Sequence, residues 1–235
     1  MQKTTNIIVR AAAALLACGA VAAHAQDGTP ANPNEVRAGV YFVHHAATAD
    51  DLSGPFTPAG INLSVDNVST LYLAYIRRFD PHWSIELAGG VPPETKTRGK
   101  GPAVVGSVPF DGQEVATAKW FSPSVLVDYT FLEPSSAFRP YVGLGFNFTH
   151  FYELNSTAAG DAANGGPTKI KLTNSWGPAA TIGLSYRITD QINVYGSFSV
   201  ARVNSHYTSD TSGVIRETHI HFNPRAAVIS VGYAF

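Results

Sequence analysis

From Asn34 to Phe235 the chain repeats one device: segments in which every second side chain is large and apolar, joined alternately by short and by long connections. A two-residue period places successive side chains on opposite faces of an extended strand. Strands are read near 34–46, 68–79, 83–92, 119–131, 138–154, 175–188, 192–204 and 222–235. The short connections are "FDPH", "LEPSSA" and "TDQ"; the long, polar ones cover 47–67, 93–118, 155–174 and 205–221. Eight antiparallel strands with short turns at one end and long loops at the other match a bacterial outer-membrane barrel.

The two faces differ in the sense that membrane strands require. In the closing "AVISVGYAF", Ile229, Val231, Tyr233 and Phe235 share one face, while Ser230, Gly232 and Ala234 share the other. Small side chains turned to water gain nothing, but they fit a narrow barrel interior whose exterior meets lipid. The same contrast sets Val142, Leu144, Phe146 and Phe148 against Gly143, Gly145 and Asn147, and Trp83, Ile85 and Leu87 against Ser84, Glu86 and Ala88. Aromatic girdles are read at Phe79, Trp83, Phe131, Tyr186, Tyr233 and Phe235 at the short-turn end, and at Phe121, Phe148, Phe151 and Trp176 at the other. A secreted β-sandwich also alternates, and is the competing architecture.

The first residues read as an export signal: Lys3 and Arg10 precede an apolar run from Ala11 to Ala23, and Ala23-His24-Ala25 marks the cleavage site. "LLAC" offers a second reading, with Cys18 lipidated. Cleavage after Ala25 removes the sole cysteine and leaves a chain about three charges negative, which argues against a disulfide scaffold and against nucleic acid. No apolar run of about 18 residues follows, so a membrane span, if there is one, is made of strands. The expected organisation is a signal peptide, 1–25, and one barrel domain, 26–235.

At this point the residues carry a resemblance. "FRPYVGLGFNFTHFY" (138–152), "SWGPAATIGLSYRITDQINVYGSFSV" (175–200), "FNPRAAVISVGYAF" and "DNVSTLYLAYIRRFDPHWSIELAGG" (66–90) resemble the OmpW family of outer-membrane proteins over nearly the whole mature chain. The resemblance implies an all-β, eight-stranded antiparallel transmembrane barrel in the outer membrane of a Gram-negative cell, with short periplasmic turns and long extracellular loops. It also implies passage of small hydrophobic molecules and, for some members, recognition by bacteriocins or phage. The fourth strand departs from the family pattern: it opens "WFSPS", and Pro123 alone is kept. Tyr233 and Phe235 resemble the carboxy-terminal signal read by barrel-assembly machinery.

Function is then read from the inward face. Eight strands enclose an interior that side chains nearly fill, so a wide aqueous pore is not expected. Arg37, Glu86, Asp128 and Arg187 are inward charges expected to pair across the lumen. Tyr41, Val43, Ala88, Leu126 and Ser199, with Trp120 near the mouth, are expected to line a small, partly apolar pocket. Pro92, Pro93 and Pro123 lie at similar height on strands three and four, and proline donates no ladder hydrogen bond. A weak seam there would release a solute sideways into the membrane. The histidines His44, His45, His150, His206, His219 and His221 gather at the long-loop end, but no third ligand of fixed spacing accompanies "HIH", and no metal is expected. Ser205 and His206 are neighbours on one strand, so they point apart and do not form a nucleophile–base pair.

The expectation is a monomeric passive conduit, neither an enzyme nor dependent on a cofactor, whose partners are membrane lipid, lipopolysaccharide, the assembly machinery and a small hydrophobic solute. The alternative is a structural or receptor barrel whose loops meet phage, bacteriocin or host surfaces.

Overall fold

The computed structural model describes residues 31–235; the expected signal peptide, 1–25, and the alternative site at Cys18 lie outside them. Eight strands form the barrel: β1 (Asn34–His45), β2 (Val68–Arg78), β3 (Trp83–Gly90), β4 (Ser124–Thr130), β5 (Phe138–Ser156), β6 (Ser175–Arg187), β7 (Ile192–Ala201) and β8 (Pro224–Ala234). Each pairs antiparallel with the next, and β1 closes on β8 from Glu35↔Ala234 to His45↔Pro224. At the junction Asn34 and Phe235 exchange both backbone hydrogen bonds, at 3.1 and 2.8 Å. Closure leaves the barrel without an open edge, which a strand structure in hydrocarbon requires.

Burial is inside out relative to a soluble protein. Leu144 and Phe146 are 70% and 69% exposed, whereas Asn147, Thr149 and Thr181 on the opposite face are buried. The outward residues form an apolar belt with rings near its rims, among them Trp83 packed on Tyr129 and Phe148 packed on Trp176. Phe151, expected in the upper girdle, is instead buried against Phe222, because it shares the inward, odd-numbered face of β5 with Asn147 and Thr149.

The short turns are fixed by backbone hydrogen bonding. Asp80 accepts from the amides of His82 and Trp83 at 2.7 and 2.8 Å, and these bonds hold its carboxyl below the usual carboxylate range. Between β4 and β5, the carbonyls of Pro134 and Ser135 are held by Arg187, at 2.8 and 2.6 Å.

The long connections depart from the sequence expectation. Rather than polar loops, they are largely strands that extend the barrel upward. Glu94–Lys100 pairs with Glu114–Phe121, and Asn62–Val65 joins the outer edge. A separate sheet runs in the order Lys169–Leu172, Asn204–Thr211, Val214–His221, Thr48–Ala49. Helix α1 (Ala158–Asn164) is capped by Thr157, whose side chain accepts from the Gly160 amide. These pieces share a core of Ile61, Leu63, Phe110, Val115, Phe151 and Val203, among others. The expected fourth strand, 119–131, is two strands: Phe121 ends one and Ser124 begins the other, since Pro123 offers no amide to continue the ladder.

Candidate functional site

The lumen is divided by a buried layer of charge. Arg37 on β1 donates through Nη1 to Glu86 Oε2 on β3 at 2.9 Å, and through Nε to Glu35, two residues earlier on the same face. Tyr72 on β2 donates to the other Glu86 oxygen at 2.8 Å. Glu35 also accepts from Tyr195 on β7, at 2.8 Å, and from Arg78. The Arg37 guanidinium carbon lies 3.6 Å from the centroid of the Tyr195 ring and 5.5 Å from that of Tyr141, a cation–π arrangement that needs no additional anion. Glu35 is wholly buried and Asp128 is 2% exposed. A desolvated guanidinium that meets two carboxylates and two rings is a lock, because removing either sign leaves the other uncompensated.

Glycines let this layer close. A Cβ on Gly183 would stand 2.4 Å from the Tyr141 ring, and one on Gly143 would stand 2.0 Å from Asp128 Oδ1. The small face read from the sequence is thus the space into which the plug residues fold.

Of the four expected lumen charges, the structure joins Arg37 to Glu86. Asp128 is inward and buried, but its Oδ1 has no hydrogen-bond partner. Arg187 does not belong to the layer: at the end of β6 its side chain turns to the carbonyls of the neighbouring short turn, where a guanidinium keeps contact with water. Sequence reading missed Glu35, Arg78, Tyr72, Tyr141 and Tyr195. The parity of Glu35 with Arg37 was available in the sequence; the convergence of three tyrosines from β2, β5 and β7 was not.

Two cavities flank the plug. The lower one, about 520 Å³, is lined by Arg37, Arg78, Asp128, Arg139, Tyr141 and Arg187, among others, at the short-turn end. The upper one, about 80 Å³, rests on Tyr72 and Glu86 and rises among Phe151, Ile170, Val203 and Phe222 of the extramembrane sheets. Tyr41, Val43, Ala88, Trp120, Leu126 and Ser199 all line it. Tyr207, also on its wall, is neutral at physiological pH, since burial pushes its phenol up to about 12.

The proline seam has a definite geometry. The β3–β4 ladder runs from Trp83↔Tyr129 up to Ala88↔Ser124 and stops. Pairing between the two chain directions resumes at Glu94↔Lys119. Between these points, among the described residues, the two sides are joined by one long backbone bond, Trp120 N to Pro93 O at 3.4 Å. Each side is tied to its outer neighbour instead: Val91 N to Leu71 O at 3.0 Å, and Phe148 N to Pro123 O at 2.9 Å. On the lumen side the Asn147 amide holds the Pro123 edge, donating to Ser122 O, Pro123 O and Ser124 Oγ. Gly89 and Ser122, which flank this gap, both line the upper cavity.

The histidines are distributed through the extramembrane part. His45 Nδ1 contacts Asp66 O at 3.0 Å, His150 contacts Asn174, His221 contacts Asn204, and the rings of His206 and His219 lie 4.8 Å apart. Among the described residues no three His, Cys, Asp or Glu side chains are placed to hold a metal ion. Ser205 Oγ donates to Thr173 O at 2.7 Å from the buried face of its strand, while His206 turns outward to Glu217.

Comparison with known proteins adds the family. A model of the OmpW family matches residues 34–235. Outer membrane protein W of Vibrio cholerae is 30% identical over 200 residues, 85% of this chain and 87% of that protein. Outer membrane protein W of Escherichia coli is 29% identical over 122 residues, 52% of this chain and 57% of that protein. Among solved structures, the outer membrane protein OprG from Pseudomonas aeruginosa superposes with a TM-score of 0.78 at 24% identity, covering 88% of this chain and 98% of that one. Outer membrane protein AlkL in lipid bilayers gives 0.63 at 17% identity, covering 92% and 95%.

Proposed function

The chain belongs to the OmpW family of outer-membrane proteins, and from that premise we propose that its barrel is a passive conduit for small hydrophobic molecules, released sideways between β3 and β4. One observation carries the reading: the apolar cavity that descends from the extramembrane sheets is closed below by the Arg37 layer and bordered at Gly89 and Ser122 by the unpaired seam. A solute arriving from above meets a charged floor that an apolar molecule does not cross, because displacing it would strand buried charge. The side wall at Pro92, Pro93 and Pro123 asks for only the long Trp120–Pro93 backbone bond to be broken. Residues Tyr41, Val43, Ala88, Trp120, Leu126 and Ser199 are assigned to the conduit wall, and Arg37 with Glu86 and Asp128 to its floor.

The test is entry of a labelled small apolar solute into whole cells with and without the protein, beside single-channel conductance of the purified barrel. The reading expects faster uptake and little ion current. Equal uptake by both cell types sinks it.

The receptor reading has its own observation: Phe56, in the first long connection, is 87% exposed with φ of 57°, a left-handed conformation that holds an apolar ring in solvent. Phe56→Ser is expected to leave uptake unchanged and to lower adsorption of any phage or bacteriocin that uses this face. We further assign the belt to contact with lipid and lipopolysaccharide, and Tyr233 and Phe235, stacked at 6.3 Å on the closing strand, to recognition by the assembly machinery. The conduit is proposed to act as a monomer, without catalysis or a resident cofactor.

A further inference from the structure

Tyr41 stands on the wall of the upper cavity directly beside the plug. Its ring centroid is 6.1 Å from that of Tyr72, whose hydroxyl is committed to Glu86. The Tyr41 hydroxyl has no hydrogen-bond partner among the described residues, and it faces a cavity that Val43, Ala88, Leu126 and Val228 also line. Several other polar groups on the same walls are already engaged, although the Thr97 and Thr117 hydroxyls, on the extramembrane strands, are not, among the described residues. Trp120 Nε1 donates to Thr95 at 2.9 Å, Ser199 donates to Thr181 at 3.0 Å, and His45 Nδ1 meets Asp66 O. Ser124 Oγ accepts from Asn147 at 3.0 Å, but its own proton has no acceptor among the described residues.

A phenol that faces a cavity without a protein partner is satisfied there by water or by an occupant, and an occupant that displaces the water without replacing its hydrogen bond loses affinity. A site containing such a group favours the occupant that satisfies it over an analogue that lacks the matching atom. The cavity is also small: at about 80 Å³ it is well below the roughly 150 Å³ of an engineered cavity that accepts benzene, so a chain-like solute seats only part of its length there.

We propose that the Tyr41 hydroxyl is a specificity-determining group of the conduit, and that its preferred solutes are slender apolar molecules carrying a single oxygen, such as primary alcohols and ketones, over bare hydrocarbons. The inference rests on the conduit reading. The alkyl portion fills the cavity, and the oxygen hydrogen-bonds to Tyr41 next to the charged floor.

The experiment compares protein-dependent uptake of 1-hexanol and of hexane by cells carrying the wild-type chain, cells carrying Tyr41→Phe and cells carrying neither. Heat-shifted gel migration verifies that the variant barrel is folded. The expected result is a preference for the alcohol over hexane in wild type that falls about fivefold in Tyr41→Phe, the equivalent of one neutral hydrogen bond. No alcohol preference in wild type, or an equal loss of both solutes in Tyr41→Phe, overturns the assignment while leaving the conduit standing. If neither solute enters faster with the wild-type chain than without it, the conduit reading fails and takes this inference with it.

Discussion

Arg37 donates to Glu86 across 2.9 Å and thereby ties the first barrel strand to the third through the lumen, without help from the sheet between them. Both side chains are nearly inaccessible to solvent, so the pair is worth more as a lock than as a surface salt bridge would be.

Arg37→Met leaves Glu35 and Glu86 facing one another without the cation that both share. Unfolding in urea from lipid vesicles is expected to show a loss of about 3–5 kcal/mol. Planar-bilayer recordings of the folded fraction should show a larger ion current than the wild type gives. A variant that stays closed and equally stable would mean that the layer is not the floor of the conduit.

A cross-link over the seam tests the exit. A Cβ on Gly89 comes 4.0 Å from the Pro123 backbone, within the range a disulfide spans. Gly89→Cys with Pro123→Cys is expected to block solute uptake when oxidised and to recover it on reduction. Uptake that is indifferent to redox state would place the exit elsewhere.

Glycine positions separate packing from backbone effects. Gly183→Ala pushes its new methyl against the Tyr141 ring and should cost about 1–3 kcal/mol of stability. Gly196→Ala, on the outer face with open space around it, should be nearly neutral. Equal effects in the two would show that the plug does not depend on the space Gly183 leaves.

The β2–β3 turn should respond to acid. The amides of Trp83 and His82 hold the Asp80 carboxyl below its ordinary value of 3.8, so the carboxylate favours the folded turn. That contribution is fully present above the unfolded value and is lost as pH falls through the lower, folded one. Amide resonances of His82 and Trp83 should therefore shift together below about pH 4, and Asp80→Asn should abolish that titration. Resonances that titrate at the unperturbed carboxylate value would contradict the capping role.

Much of this fold can be read along the chain because each barrel strand declares itself locally. In β8, Ile229, Val231 and Tyr233 alternate with Ser230 and Gly232, and the same parity puts Arg37, Glu86 and Asp128 inside. The extramembrane sheet was not legible in this way. Ser205, Ser209, Thr211 and Thr218 are buried polar residues, so their strands lack the apolar alternation that marks a buried face. Their burial follows from contact with segments far away, such as Thr218 donating to Asp50 O.

Arg187 shows the limit of parity from the other side. Its position in the alternation suggests the lumen, but it sits where β6 meets a turn, and the carbonyls of Pro134 and Ser135 take it out of the network.

The sequence by itself determined which residues face lipid and which face the interior, since a strand's two-residue period is a local property of the backbone. Which inward residues meet was decided by tertiary structure alone. Glu35 and Tyr195, far apart in sequence, share a hydrogen bond only because barrel closure and strand stagger bring β1 and β7 to the same height across the lumen. The same stagger leaves Asp128 Oδ1 without a hydrogen-bond partner and the Tyr41 hydroxyl open to whatever enters the cavity.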